Sequence, residues 1–348
     1  MILNILNIPV KLVFAVPLFF RADNRYLLMR QHTVNTPYMV GEAHFYTTEI
    51  EGDLVLFDTG PATAEAWAFL QGEVDLARLR YLFVTHCHVD HYGLAAHIAL
   101  HGGAEIFIPR KDAVKLRRHE ERIGKLQSLL VECGFDEGFV RRLRKTFDDN
   151  KVFPVVPERY TVLEESPVPE QLGITWMSCP GHSQTDIVYG VGAYAVTGDI
   201  LLKNIFQAPL LDVDLETFSG RFRNYDAYCD TLLKLPEIRG CTILPGHRRD
   251  VSSLDETILF YVRKLLERAI QVARYAETGT VRGVIGELFG GNVTDPFLLY
   301  LKASEIMFMR DFLAEPGRLR RSLEAIGLLD AVSEQFGGIA GGGRESSR

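Results

Sequence analysis

The chain has 348 residues, 47% of them hydrophobic, and a formal net charge of −7. That length and apolar share support a large buried core in one big domain or two. The negative balance argues against a nucleic-acid binder that relies on a broad basic face, so no nucleic-acid partner is expected. Cys87, Cys133, Cys179, Cys229 and Cys241 are scattered without a C-x-x-C pair, which reads as free thiols in a reducing, cytoplasmic compartment.

The apolar start carries Lys11 in mid-run, is interrupted by Asn4, Asn7 and Pro9, and is followed by no small-residue cleavage site. Residues 10–20 therefore read as a buried strand rather than a signal peptide. No run approaches the roughly 20 uninterrupted apolar residues of a membrane span, so no membrane partner is expected. Residues 44–50 and 54–60, joined by Glu51-Gly52-Asp53, read as a hairpin. A helix is predicted over 63–71, a buried strand over 80–86 and a helix opening at His91. Residues 111–148 are charged, amphipathic and without strand character, which marks a helical insertion whose basic residues read as a solvated face. Strands return over 158–165, 173–181, 186–191, 193–199 and 241–247, with a helix over 226–238. Strands alternating with helices imply a layered α/β domain over 1–250. Residues 251–336 read as a C-terminal helical domain, in which Asp295 is a good N-cap with Pro296 at the first helical position. The Gly/Ser-rich end, 337–348, reads as a flexible tail.

The chemistry concentrates in Thr85-His86-Cys87-His88-Val89-Asp90-His91, directly after a buried strand. His86 and His88 alternate past Cys87, so their rings can point the same way, while Cys87 faces packing. Asp90 and His91 fall at the turn into the next helix. Imidazole and carboxylate together suit zinc, iron or manganese. Further candidates lie at other strand ends: His182 after Cys179-Pro180-Gly181, Asp199 after Thr197-Gly198, and His247 after Pro245-Gly246. His32, His44, His97, His101 and His119 read as ordinary polar residues, with His44 near enough in sequence to a loop to approach the pocket. Thr85, Ser183 and Asp186 read as supporting partners of the ligands.

The H-x-H-x-D-H run, followed in order by P-G-H-S, G-D and P-G-H, resembles the metallo-β-lactamase superfamily over roughly residues 10–250. The resemblance implies an αββα sandwich with metal ions at one edge of two sheets. It implies that His86, His88 and His182 hold one ion, that Asp90, His91 and His247 hold a second, and that Asp199 bridges them. Asp58 matches a buried aspartate that supports the histidine loop. Two divalent cations, zinc foremost, would then supply a bridging hydroxide, with Asp90 orienting it or shuttling its proton. The helical insertion and C-terminal helices are similar to the glyoxalase-II-like branch, some of whose members add a winged-helix-like module. Such helices would cap an apolar pocket or form a homodimer interface. The expected reaction is hydrolysis of a small-molecule carboxylic thioester or ester. Lactone or phosphodiester hydrolysis, an iron-dependent sulfur dioxygenase, and a regulatory metal-binding protein acting through its helices are the alternatives.

Overall fold

The computed structural model describes residues 27–149, 152–207, 209–248, 250–275 and 279–342. The strand expected over 10–20 lies outside them.

The chain opens with β1 (Arg30–Asn35), β2 (Glu42–Ile50) and β3 (Asp53–Phe57). The hairpin expected between the last two forms, with Tyr46 opposite Phe57 and Ile50 opposite Asp53. Its turn places both Glu51 (φ 55°) and Gly52 (φ 92°) in the left-handed region, as a two-residue hairpin turn demands. α1 (Ala64–Glu73) follows, its first turn capped by the Thr63 hydroxyl accepting from the Ala66 N–H. β4 (Leu79–Phe83), α2 (Val89–Tyr92), α3 (Ala95–His101) and β5 (Glu105–Ile108) complete the first half. The helix expected to open at His91 is thus two short pieces, and β1 is a strand that the sequence reading did not mark.

The insertion folds as three helices, α4 (Arg110–Arg117), α5 (His119–Glu132) and α6 (Glu137–Asp149). The strand expected over 158–165 shrinks to β6 (Thr161–Val162) and a 3-10 turn, Leu163–Glu165, before α7 (Val168–Gln171). Then come β7 (Ile174–Ser178), β8 (Ile187–Val191), β9 (Tyr194–Gly198), α8 (Asn224–Lys234) and β10 (Thr242–Pro245). The rest is helical: α9 (Leu254–Ala273), α10 (Val281–Phe289), α11 (Pro296–Ala314), α12 (Pro316–Ala325) and α13 (Ser333–Gly342). Asp295 caps α11 as its sequence position suggests, accepting from the Leu298 N–H at 2.8 Å. No strand follows β10 among the described residues, so nothing there forms the β wing of a winged helix. No helix among them is long and apolar enough to cross a membrane.

Two sheets result, one ordered β1-β2-β3-β4-β5-β6 and one β10-β9-β8-β7. The period-2 alternation of the strands decides their packing. Phe57, Phe83 and Phe107 point between the sheets to meet Tyr189 and Ile187 of β8, while Leu56, Leu82 and Ile106 point outward to α1 and α3. Phe83 stacks on Phe107 at 4.6 Å between ring centroids and meets Tyr189 at 5.6 Å. On the outer face of the smaller sheet, Met177, Val188 and Ala195 join a cluster that also takes Leu130 of α5, Leu143 of α6, Leu265 of α9 and Phe312 of α11. The insertion, the C-terminal helices and the smaller sheet therefore share one apolar core. This is an α/β sandwich with helices on both outer faces.

Because Phe83 is wholly buried at the centre of the inter-sheet layer, Phe83→Ala should destabilise the chain by about 3–5 kcal/mol. Equilibrium denaturant unfolding measures this, and a loss near that of an exposed site would contradict the packing described.

Candidate metal centre

The C-terminal ends of β3, β4, β7, β9 and β10 all open onto one edge of the sandwich, delivering Asp58, the 85–91 loop, His182, Asp199 and His247. All seven candidate ligands meet there. Three donor groups form, each with its ligand atoms within 4.8 Å of one another: His86, His88 and His182; His86, His91 and Asp199; and Asp90, His91 and His247. Nδ1 of His88 lies 2.8 Å from Nε2 of His86 and 3.2 Å from Nε2 of His182. The two oxygens of Asp199 divide between the groups. Oδ1 is 3.3 Å from His91 Nε2 and 3.4 Å from His247 Nε2, while Oδ2 is 3.7 Å from His182 Nε2.

A buried scaffold aims these rings. Asp58 accepts from the Thr85 N–H and hydroxyl, each at 2.8 Å, and from His91 Nδ1 at 2.9 Å. That bond holds a proton on Nδ1, so Nε2 is the atom turned to the site and the one that offers a lone pair once its own proton is released. The Glu42 carbonyl does the same for His247, accepting from Nδ1 at 2.7 Å. Ser183 donates its N–H and its hydroxyl to Asp186, closing the turn that carries His182. Asn224 of α8 fixes the same turn by donating to the Gly181 carbonyl at 3.1 Å.

A match to the metallo-beta-lactamase superfamily model covers residues 41–247, the stretch that holds every residue of this edge. The chain belongs to the metallo-beta-lactamase superfamily. Two solved structures share its fold with TM-scores of 0.65 and 18% identity. One is a metallo-beta-lactamase family protein from Thermus thermophilus, with 83% of this chain and 94% of that one aligned. The other is a beta-lactamase domain protein from Burkholderia ambifaria, with 88% of this chain and 92% of that one aligned. Among curated proteins, none matches this sequence.

The donor set fits the metal ions usual in metallo-beta-lactamase superfamily members. His91 Nε2, His247 Nε2 and Asp199 Oδ1 are buried and lack hydrogen-bond partners, a cost that a bound cation removes. Without cations, protons compensate the carboxylates. Burial alone would lower the pKa of His247, but Asp199 and Asp90 beside it push it up to about 10. Burial likewise opposes a charge on His91, yet Asp199 and Asp90 raise it well above its ordinary value. His86 and His88 go the other way, held well below the ordinary value by burial and by the neighbouring imidazoles, so they present neutral rings.

Glycine is required where the loops converge. A Cβ on Gly246 would lie 2.5 Å from Cε1 of His91 and 2.7 Å from Oδ1 of Asp199. Gly198, at φ 51°, lies against Thr85 in the same way. Sequence reasoning missed Asp112 and Lys115, which it placed on a solvated face. Both are buried in α4. Asp112 accepts the Cys87 N–H at 2.7 Å, and Lys115 donates to the Cys87 carbonyl at 3.0 Å. Cys87 is thus held by its backbone while its side chain packs away from the ligands in the outer apolar cluster. The only sequence signal was the i,i+3 spacing of the pair, which marks an ion pair but not its burial. His44 does reach the site's margin: its N–H donates to the Gly246 carbonyl at 2.8 Å and its ring bonds the Arg248 carbonyl, so it braces the His247 loop. His97 and His101 pack on Trp67, His119 on Phe153 and His32 on Phe45, all away from the ligands.

Gly246→Ala should yield folded protein with sharply reduced bound metal, read by elemental analysis beside circular dichroism; full metal content would refute the steric argument. Metal uptake at pH 7–8 should release protons, because His91 and His247 must give them up to bind. The stabilisation that protonated His247 lends the metal-free fold is complete below its ordinary value of 6.5 and is lost as pH rises through about 10. Calorimetric titration in buffers of different ionisation enthalpy counts those protons, and metal uptake without proton release would sink the assignment.

Proposed function

We propose that this superfamily member is a dinuclear zinc hydrolase of carboxylic thioesters or esters. The observation that carries the dinuclear reading is the division of the Asp199 oxygens between a three-histidine group and the Asp90–His91–His247 group. In this reading His86, His88 and His182 would hold one ion, Asp90, His91 and His247 would hold the other, and Asp199 would serve both. Five imidazoles with two carboxylates are a donor set suited to zinc. Bound there, the ions would acidify a water and polarise the substrate oxygen. The remaining work falls to the chain. Asp58 and the Glu42 carbonyl keep the His91 and His247 rings oriented, and Asp112 with Lys115 holds the backbone between His86 and His88. Asp90 Oδ2, 3.3 Å from His247 Nε2, stands where it can hold and move a proton. The two ion pairs beside His88, Lys115–Asp112 and Arg122–Asp212, are internally neutralised, which supports a small ester over a phosphodiester chain that needs uncompensated cations along its path. Cysteines without disulfides support a reducing, cytoplasmic setting.

Zinc-loaded protein should hydrolyse chromogenic thioesters or esters faster than lactones and phosphodiesters, lose that activity to a chelator, and regain it with zinc. Asp90→Asn should lower kcat by about 10²-fold or more. Turnover that persists in chelator, or that favours phosphodiesters, would overturn the reading.

A further inference from the structure

A small cavity lies beside His88, on the side of the insertion. Among its walls are Lys115 and Arg122 from α4 and α5, Ser183 and Thr185 from the His182 turn, and Asp212. Leu210 and Leu215 give it some of the apolar surface expected of a pocket in this region, and hydrogen-bond donors are set among them. Arg122 has side-chain exposure of only 12%. Its guanidinium meets Asp212 through Nε alone, at 2.7 and 3.0 Å to the two carboxylate oxygens. A guanidinium has five N–H donors, so the four on its Nη atoms have no protein acceptor among the described residues. Lys115 donates one N–H to the Cys87 carbonyl, and its ammonium forms an ion pair with Asp112 Oδ1 at 2.6 Å. An ammonium has three, so one is left over. Donors that find no acceptor in the chain are met by oxygen atoms from outside it, water or ligand, seated in the cavity.

We infer that this cavity seats a carboxylate carried by the substrate, gripped by the Arg122 Nη fork and the remaining N–H of Lys115, while the scissile ester lies over the ligand cluster. The inference deepens the hydrolase reading and rests on it for the identity of the molecule that brings the carboxylate. Arg122 and Lys115 are already paired with Asp212 and Asp112, so recognition comes from directed charge-assisted bonds rather than from excess positive charge. The space, about 20 Å³, takes one or two water-sized groups, such as the two oxygens of a carboxylate, and is far too small for a whole substrate. His88 lies in the wall of this cavity and in the three-histidine group, so the seat and the cluster are contiguous and one molecule can span them.

The test uses a matched pair of chromogenic esters, 4-nitrophenyl acetate and the mono-4-nitrophenyl ester of glutaric acid, with zinc-loaded protein. The ratio of their kcat/KM values should favour the carboxylate-bearing ester by about 10–100-fold, the worth of one or two charge-assisted bonds. Arg122→Lys keeps the charge opposite Asp212 but removes the fork, and should collapse that ratio. The double variant Arg122→Gln, Asp212→Asn removes both charges together and should do the same without stranding a buried carboxylate. In parallel, sodium glutarate should raise the melting temperature of the chelator-treated full chain but not that of the double variant, with sodium chloride as the ionic-strength control. A wild-type ratio near one, a ratio that survives Arg122→Lys, or stabilisation by inorganic phosphate and not by glutarate each overturns the carboxylate seat. Failure to hydrolyse either ester tells against the hydrolase reading instead, and the melting experiment then decides the seat by itself.

Discussion

The Asp58 carboxylate is the constraint on which the candidate metal centre depends. It sits at the end of β3 with φ 59°, a left-handed conformation that Asp tolerates better than most side chains. From there it takes hydrogen bonds from the Thr85 backbone, the Thr85 hydroxyl and His91. One residue on β3 thereby fixes both ends of the loop that follows β4. The loop holds four candidate ligands in six positions, so orienting its two ends orients most of the cluster. A neighbouring bond extends the clamp: Thr59 takes the His91 carbonyl through both its N–H and its hydroxyl, and its hydroxyl receives the Leu94 N–H. α2, a single turn too short to be stable alone, is held in place by these contacts.

Asp58, Asp90 and Asp199 are buried close together, and carboxylates so placed repel one another unless cations intervene. In the metal-free chain the cations are protons on His91 and His247. Metal and protons therefore compete for the same lone pairs. Protons or metal ions thus offset most of the negative charge of the three carboxylates. Gly246 and Gly198 set the other limit. Their missing side chains let two loops close to within contact of His91, Asp199 and Thr85, and the ligand atoms reach one another only because of that approach.

The ligands were legible in the sequence because they are short-range patterns at strand ends, and a histidine or aspartate after a Gly turn declares itself. Asp58 was legible only through family resemblance. The hairpin and the N-cap at Asp295 followed from local turn and capping chemistry. What the sequence hid was burial across distance. Asp112 and Lys115 belong to a stretch whose charge reads as a solvated face, yet α4 lies against the Cys87 backbone and buries both. β6 was overestimated because residues 158–165 are rich in strand formers, while only Thr161 and Val162 find a partner, on β5. β1 escaped notice because RQHTVN has few apolar residues and owes its strand form to pairing with β2.

The helices that supply no ligand are nonetheless tied to the cluster through backbone. The Gln207 side chain donates to the carbonyls of Asp199 and Ile200, at 2.6 and 2.9 Å, and its own carbonyl accepts from Tyr261 of α9 at 3.3 Å. Tyr261 stacks on Phe206 at 4.4 Å and meets Tyr228 of α8 at 4.9 Å. Tyr228 in turn packs where a side chain on Gly181 would point, beside His182. A C-terminal helix thus reaches the turns behind two candidate ligands, Asp199 and His182, through one aromatic stack. This arrangement explains why the helical region shares its core with the smaller sheet: the strand ends of β7 and β9 are positioned from the helical side, just as those of β3 and β4 are positioned by Asp58.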